Sequence, residues 1–174
     1  ANIVAYGASA TLVGLTGDDE AAAELTALCA EHAGLSPRFV ADRSRPTTVK
    51  TRYLGGWHQL LRVDAEETHP MTSETAAAVA DTARQAMSTA GAVILSDYAK
   101  GVLDSATIRA LIAAAREAGL PVVVDPKKSS PDIFGGASLI TPNVEEMAQF
   151  TGIRAETDEA AEAACRKVLD ETTI

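Results

Sequence analysis

Three apolar runs in the second half of the sequence break off into groups that can do chemistry: AVILSDYAKG (92–101), PVVVDPKK (121–128) and ASLITPNVEE (137–146). The first delivers Asp97 and Lys100, the second Asp125, Lys127 and Lys128, the third Asn143 and Glu146. Lysines so placed can hold an anion. A carboxylate such as Glu146 can hold a water on Mg²⁺, which keeps several waters when it binds phosphates. Asn143 and Glu146 have the spacing of a capping box, and a helix N-terminus also favours an anion. Each piece has a plainer use. Asp97 suits a turn cap, the lysines suit a solvated loop, and Asp125-Pro126 is an ordinary way to leave a strand, because proline stops ladder pairing. Their coincidence is the informative feature. If the three runs are parallel strands, their carboxyl ends share the edge at which open α/β sheets bind ligands.

A second cluster, Lys50, Arg52, Arg62 and Asp64, lies in TTVKTRYL (47–54) and WHQLLRVDAE (57–66), which Gly55-Gly56 joins. This is a hairpin pattern. Alternation puts Lys50 with Arg52, and Arg62 with Asp64. The cluster is either the charged outer face of a ribbon or the inner face of a lid over a polyhydroxy anionic substrate. Glu66 and Glu67 are expected to be solvated.

These groups need a scaffold. TLVGLTG (11–17) reads as a buried strand. Asp18 and Asp19 open a helix that Gly34 closes as its C′ residue, with Leu25, Leu28 and Cys29 on one stripe. Helical periodicity covers 73–91, 104–119, 143–152 and 157–171, and strands are predicted at 92–96, 121–125 and 137–141, with a loop after 125. Apolar strands alternating with helices predict βαβ units and a parallel sheet covered on both faces. The hairpin is too polar on one side for that sheet and is expected outside it. The expected division is 1–37, first part of an α/β core; 38–67, β lid; 68–174, main α/β core. Residues 2–8 read as the tail of a helix with Gly7 near its end, and 172–174 as the start of a further strand, so an incomplete domain is expected.

Composition narrows the function. Over 174 residues, 47% are hydrophobic and 22% charged, with a net charge of −9. An acidic chain lacks the basic footprint of a nucleic-acid binder. No apolar run approaches the roughly 18 residues of a membrane helix, and the start lacks a basic leader. Cys29 and Cys165 are expected as two packed thiols of a reduced, cytoplasmic protein. His32, His58 and His69 show no zinc-ligand spacing. G-x-x-x-x-G-K-[ST], a post-strand G-x-G-x-x-G and G-x-S-x-G are all absent, which argues against P-loop, dinucleotide and serine-hydrolase chemistry.

In order, GASATLVGLTGDDE, the hairpin, ILSDYAKG, VVVDPK and LITPNVEE resemble the ribokinase-like (PfkB) carbohydrate kinases, over essentially the whole chain. LVGLTGDDEAA, LSDYAKG, DPK and TPN are most similar to the branch that phosphorylates D-glycero-β-D-manno-heptose 7-phosphate at C1 on the way to ADP-heptose. The resemblance implies a three-layer α/β/α fold with a mostly parallel sheet and a small β-hairpin lid, and ATP and Mg²⁺ as cofactors. It implies that Asn2, Lys50, Arg62, Asp64, Asp97 and Lys100 surround the sugar phosphate. Asp125, Lys127, Asn143 and Glu146 would lie by the nucleotide phosphates, with Glu146 reaching Mg²⁺ through water. A homodimer through the lid is also implied. Another sugar or nucleoside kinase of the family, or a noncatalytic sugar-phosphate-binding module, fits the same residues. The family's glycines before Asn2 and its G-A-G-D motif, which carries the general base, are not among these residues. Residues 1–174 alone are therefore expected not to phosphorylate sugars.

Overall fold

The computed structural model of the chain describes residues 2–127 and 130–174, which form two compact units, Ala1–Thr82 and Ala83–Ile174. In the first unit a short helix α1 (Asn2–Ala5) ends near Gly7, whose φ is 83°. Strand β1 (Ala10–Thr16) pairs in parallel with β2 (Leu35–Ala41), and α2 (Glu20–Ala30) makes the crossover. Asp19 starts that helix by accepting the Ala22 N–H at 2.9 Å. The helix stops at Ala30, short of Gly34. Gly34, at φ 88°, instead makes the turn into β2, and its carbonyl takes the Ala10 N–H at 2.8 Å. Of the apolar stripe, Cys29 is buried while Leu28 is exposed.

The expected boundary at 37/38 falls inside β2, whose residues 38–41 pair with β1. Pro37 masks this strand in the sequence, yet proline is tolerated at a sheet edge, where its missing N–H leaves no ladder bond broken. The hairpin is narrower than expected. Strands β3 (Val49–Gly55) and β4 (His58–Ala65) form their own antiparallel sheet, turning through Gly56 at φ 60°. A buried ion pair, Arg45 Nε to Asp42 Oδ2 at 2.9 Å, precedes the hairpin. Arg45 Nη2 also donates to the His69 carbonyl at 3.0 Å, so one guanidinium ties together the segments on either side of it. Helix α3 (Ser73–Met87) then runs from this unit into the next.

In the second unit β5 (Val93–Ser96), β6 (Val122–Asp125) and β7 (Leu139–Ile140) form a parallel sheet in that order. Helix α4 (Ser105–Glu117), capped by Asp104, makes the first crossover. Its Ile108, Leu111, Ile112 and Ala115 are buried with Leu95, Val122 and Val124 in one core cluster. Apolar burial of this kind is the main favourable term in folding, about 1.5–3 kcal/mol per large side chain. On the opposite face of the sheet, Ile94 and Leu139 are half exposed. Where the sequence reads as a loop, Pro131–Phe134 form a 3₁₀ turn that buries Ile133 and Phe134 in the same core. Helices α5 (Val144–Thr151) and α6 (Asp158–Glu171) follow. Residues 172–174 add no strand, although the Thr173 carbonyl accepts the Gly136 N–H at 3.2 Å. Both cysteines are free thiols. Cys165 is exposed rather than packed, because it lies on the outer side of α6 while Ala164 and Val168 face inward. No helix among the described residues is long and apolar enough to cross a membrane.

Candidate functional site

Parallel register brings the three carboxyl ends to one edge: Ser96 stands beside Asp125, and Val124 beside Ile140. The Asp97 N–H donates to the Asp125 carbonyl at 3.0 Å, extending the β5–β6 ladder by one step. The Asp97 carboxyl is buried, and its Oδ1 accepts the Ala99 N–H at 2.8 Å. Burial pushes its pKa above the ordinary carboxylate value. The N–H groups of Ala99 and Tyr98 oppose that shift, the charge on Asp125 adds to it, and the charge on Lys127 offsets it.

Lys127 reaches across to α5, where its Nζ lies 3.1 Å from Glu146 Oε1. The Glu146 side chain is 7% exposed and that of Lys127 is 44% exposed, so the pair has a buried acid and a half-open base. Glu146 Oε2 accepts the Asn143 N–H at 2.9 Å, and Asn143 Oδ1 accepts the N–H groups of Glu145 and Glu146. This is the capping box that the spacing predicts. It occupies two of the free donors of the first turn, so at this edge α5 contributes its positive end more than those N–H groups.

The edge thus brings together Asp97, Asp125, Lys127, Asn143 and Glu146. Lys100 is half-buried in the turn after Asp97. Lys128 lies outside the described residues. Glu146 already carries a cation, the Lys127 ammonium, on one oxygen. A carboxylate has about four lone-pair positions, which leaves room for a metal-bound water. Among the described residues no group of three or more His, Cys, Asp or Glu could hold a metal directly. A divalent ion suited to this edge is therefore one that keeps its waters and takes oxygen ligands from phosphates, as Mg²⁺ does.

The hairpin places its charges on one face of the other unit. Lys50 stands opposite Asp64, and Arg52 opposite Arg62. Lys50 Nζ donates to Asp64 at 2.9 Å and to Glu66 at 2.8 Å, and Arg62 Nε donates to Asp64 Oδ1 at 2.9 Å. The expectation that Glu66 is solvated is corrected: its side chain is 18% exposed and bonded to Lys50. It continues the alternation of Arg62 and Asp64, which puts it on the charged face. Glu66 and Asp64 hold the Lys50 pKa above its ordinary value, and Lys50, with Arg62, holds that of Asp64 below its own. The reverse face shows Val49, Tyr53, Leu61 and Val63, all exposed, and Trp57 at the turn is fully exposed. Asn2 lies exposed on α1.

Sequence reasoning passed over the segment before the hairpin. Asp18, Asp19, Arg43, Ser44, Arg45, Pro46 and Glu67 line an open hollow of about 440 Å³. Asp42 accepts from both the hydroxyl and the N–H of Ser44, which together with Arg45 keep its pKa below the ordinary value. Asp-x-Ser-Arg is the signal that was available: an aspartate bonding the backbone two residues on is a known turn former.

A family model described as pfkB family carbohydrate kinase matches residues 1–173. The chain is 46% identical over 172 residues to bifunctional protein HldE of Azorhizobium caulinodans, covering 96% of this chain and 36% of that protein. It is 44% identical over 169 residues to D-beta-D-heptose 7-phosphate kinase of Bordetella bronchiseptica, covering 97% of this chain and 52% of the relative. The chain thus spans between a third and a half of the length of these relatives. Among solved structures, phosphofructokinase-2 from Escherichia coli in complex with potassium superposes with a TM-score of 0.75 at 16% identity, covering 98% of this chain and 55% of that one. Arabidopsis thaliana ribokinase complexed with ribose and ATP gives 0.65 at 21% identity, covering 93% and 52%. At such identities the structures speak for the fold alone, which is ribokinase-like α/β.

Proposed function

The chain belongs to the pfkB family of carbohydrate kinases, and from that premise we propose that the protein carrying it transfers the γ-phosphoryl group of ATP to the C1 hydroxyl of D-glycero-β-D-manno-heptose 7-phosphate. The observation that carries this reading is the convergence of Asp97, Asp125, Lys127, Asn143 and Glu146 on one edge of the β5–β6–β7 sheet. The likeness to the Bordetella kinase favours a heptose 7-phosphate over other sugars.

Phosphoryl transfer gains mainly from positioning and from stabilising charge on the moving group. Bound Mg²⁺ supplies a Lewis acid that neutralises phosphate oxygens. Glu146 orients one of its waters, and Lys127 swings from Glu146 onto the nucleotide phosphates beside Asp125. Asn143 keeps α5 wound, so the positive end of the helix faces the same charge. Lys50 and Arg62 on the hairpin face meet the 7-phosphate, with Asp64 fixing both, while Asn2 and Lys100 address the sugar. The hairpin acts as a lid that excludes water and so suppresses hydrolysis of ATP. The group that accepts the C1 hydroxyl proton is not among residues 1–174; the family resemblance assigns it to the Asp of a G-A-G-D motif. A cytoplasmic, homodimeric enzyme joined through the apolar hairpin face completes the reading.

The test is thermal stabilisation of the full-length protein by MgATP with heptose 7-phosphate, fructose 6-phosphate or ribose in turn, since a ligand that binds only the folded state raises Tm. Selective stabilisation by the heptose phosphate is expected. Equal shifts with all three would remove the heptose assignment, and no shift with MgATP would remove the kinase.

A further inference from the structure

The turn that follows β5 holds a residue in a conformation it does not prefer. Ala99 has φ 54°, the left-handed region. For a residue with a Cβ that conformation is disfavoured about tenfold. The Asp97 carboxyl is what holds it. Asp97 Oδ1 accepts the Ala99 N–H at 2.8 Å, closing a side-chain turn over Tyr98. The Asp97 N–H is fixed in turn to the Asp125 carbonyl at 3.0 Å. With Asp97 only 6% exposed, water does not compete for that bond. Gly101, at φ 77°, bends the chain again. Lys100 is therefore bracketed by two left-handed residues, one free to adopt that shape and one held in it.

We infer that Asp97 is a positioning residue that keeps Ala99 left-handed, and so fixes the direction in which Lys100 leaves the backbone toward the sugar phosphate. The inference rests on the reading of this edge as a sugar kinase site. Its content is that Asp97 acts through an acceptor oxygen and not through a charge on the substrate. If the turn opens, the binding-competent fraction falls and apparent affinity falls with it.

The experiment uses the full-length protein and reads KM for heptose 7-phosphate, kcat, and amide hydrogen exchange at residue 99. Asp97→Asn keeps the acceptor, so KM should stay within about twofold of wild type and the amide should stay protected. Asp97→Ala should raise KM about tenfold with a smaller change in kcat. Adding Ala99→Gly to Asp97→Ala should restore most of the KM while the amide stays unprotected, because glycine needs no support at positive φ. In a Lys100→Ala background, Asp97→Ala should add little further loss. An Asp97→Asn variant as impaired as Asp97→Ala, no recovery with glycine, or an unprotected amide in wild type would each overturn the inference. Should the Asp97→Ala protein fail to fold, Asp97→Asn and its exchange rate still decide the matter. If wild type phosphorylates no sugar phosphate, the kinase reading falls, and the exchange data still report on the turn separately.

Discussion

At the scale of single residues, Lys127 sets the charge of the strand-end edge. It faces the buried Glu146 carboxylate while remaining half open itself. Replacing it with Met should lower kcat/KM for the nucleotide by about 10²–10³-fold, the range for losing one preorganised charge partner of a transition state. Melting temperature should move little, because a half-exposed lysine contributes at most about 1 kcal/mol through its ion pair. Steady-state kinetics and a melting curve on one preparation check both. Asp97 and Asp42 should give stability slopes of opposite sign. Burial raises the folded-state pKa of Asp97, so its contribution is full below the unfolded value and lost as pH rises through the raised one. Asp97→Asn should therefore melt higher than wild type at neutral pH, with the gap closing in acid. Asp42 is lowered by Ser44 and Arg45, so its contribution is present above the unfolded value and lost as pH falls through the lowered one. Asp42→Asn should melt lower than wild type at neutral pH and converge in acid; Tm against pH reads both. The residue types at the strand ends were legible in the sequence. The Lys127–Glu146 and Lys50–Glu66 pairs were not, because a contact between side chains on different elements depends on reach, which spacing along the chain does not encode.

At the scale of elements, caps and turns did most of the specifying. Asp19, Asp104, Asn143 and Thr157 each accept an N–H from the first turn of their helix. Gly17 shows a tighter constraint. A Cβ there would stand 2.5 Å from Asp19 Oδ2, 2.7 Å from the Thr47 N and 2.8 Å from the Arg45 carbonyl. The close approach exists because Asp19 accepts from both the N–H and the hydroxyl of Thr47, and that hydroxyl accepts the Gly17 N–H. Gly17→Ala should destabilise by about 1–3 kcal/mol by forcing these groups apart, measured by urea denaturation. The alternation of strands and helices was readable wherever a run was long and uniform. It failed at β2, where Pro37 reads as a loop. It failed also at Pro131–Phe134, where a short turn buries two large side chains without any helical period. Gly34 was misplaced for a related reason: a glycine at positive φ marks a turn, and spacing alone does not say whether that turn ends a helix or begins a strand.

At the scale of the whole molecule, the hairpin carries charge on one face and exposed apolar side chains on the other. A two-stranded ribbon is marginal by itself and gains from burying such a face. With the proposed second copy seated there, Leu61→Asp should turn a dimer into a monomer in sedimentation velocity, since Leu61 stands opposite Tyr53 in the middle of that face. A wild-type monomer, or a dimer indifferent to the substitution, would remove the hairpin as the joint. The parallel α/β class was readable because apolar strands and amphipathic helices alternate, and the hairpin was readable from its period and glycines. The extent of each sheet and the division at Thr82 were not, since they depend on contacts between segments distant in sequence.

The most direct test is ³¹P NMR of the full-length protein with MgATP and D-glycero-β-D-manno-heptose 7-phosphate. A new sugar phosphate resonance coupled to the C1 proton should grow as ATP becomes ADP, and should be strongly slowed in the Lys127→Met variant. Release of inorganic phosphate alone, faster turnover of fructose 6-phosphate or ribose, or a Lys127→Met variant as fast as wild type would contradict the account.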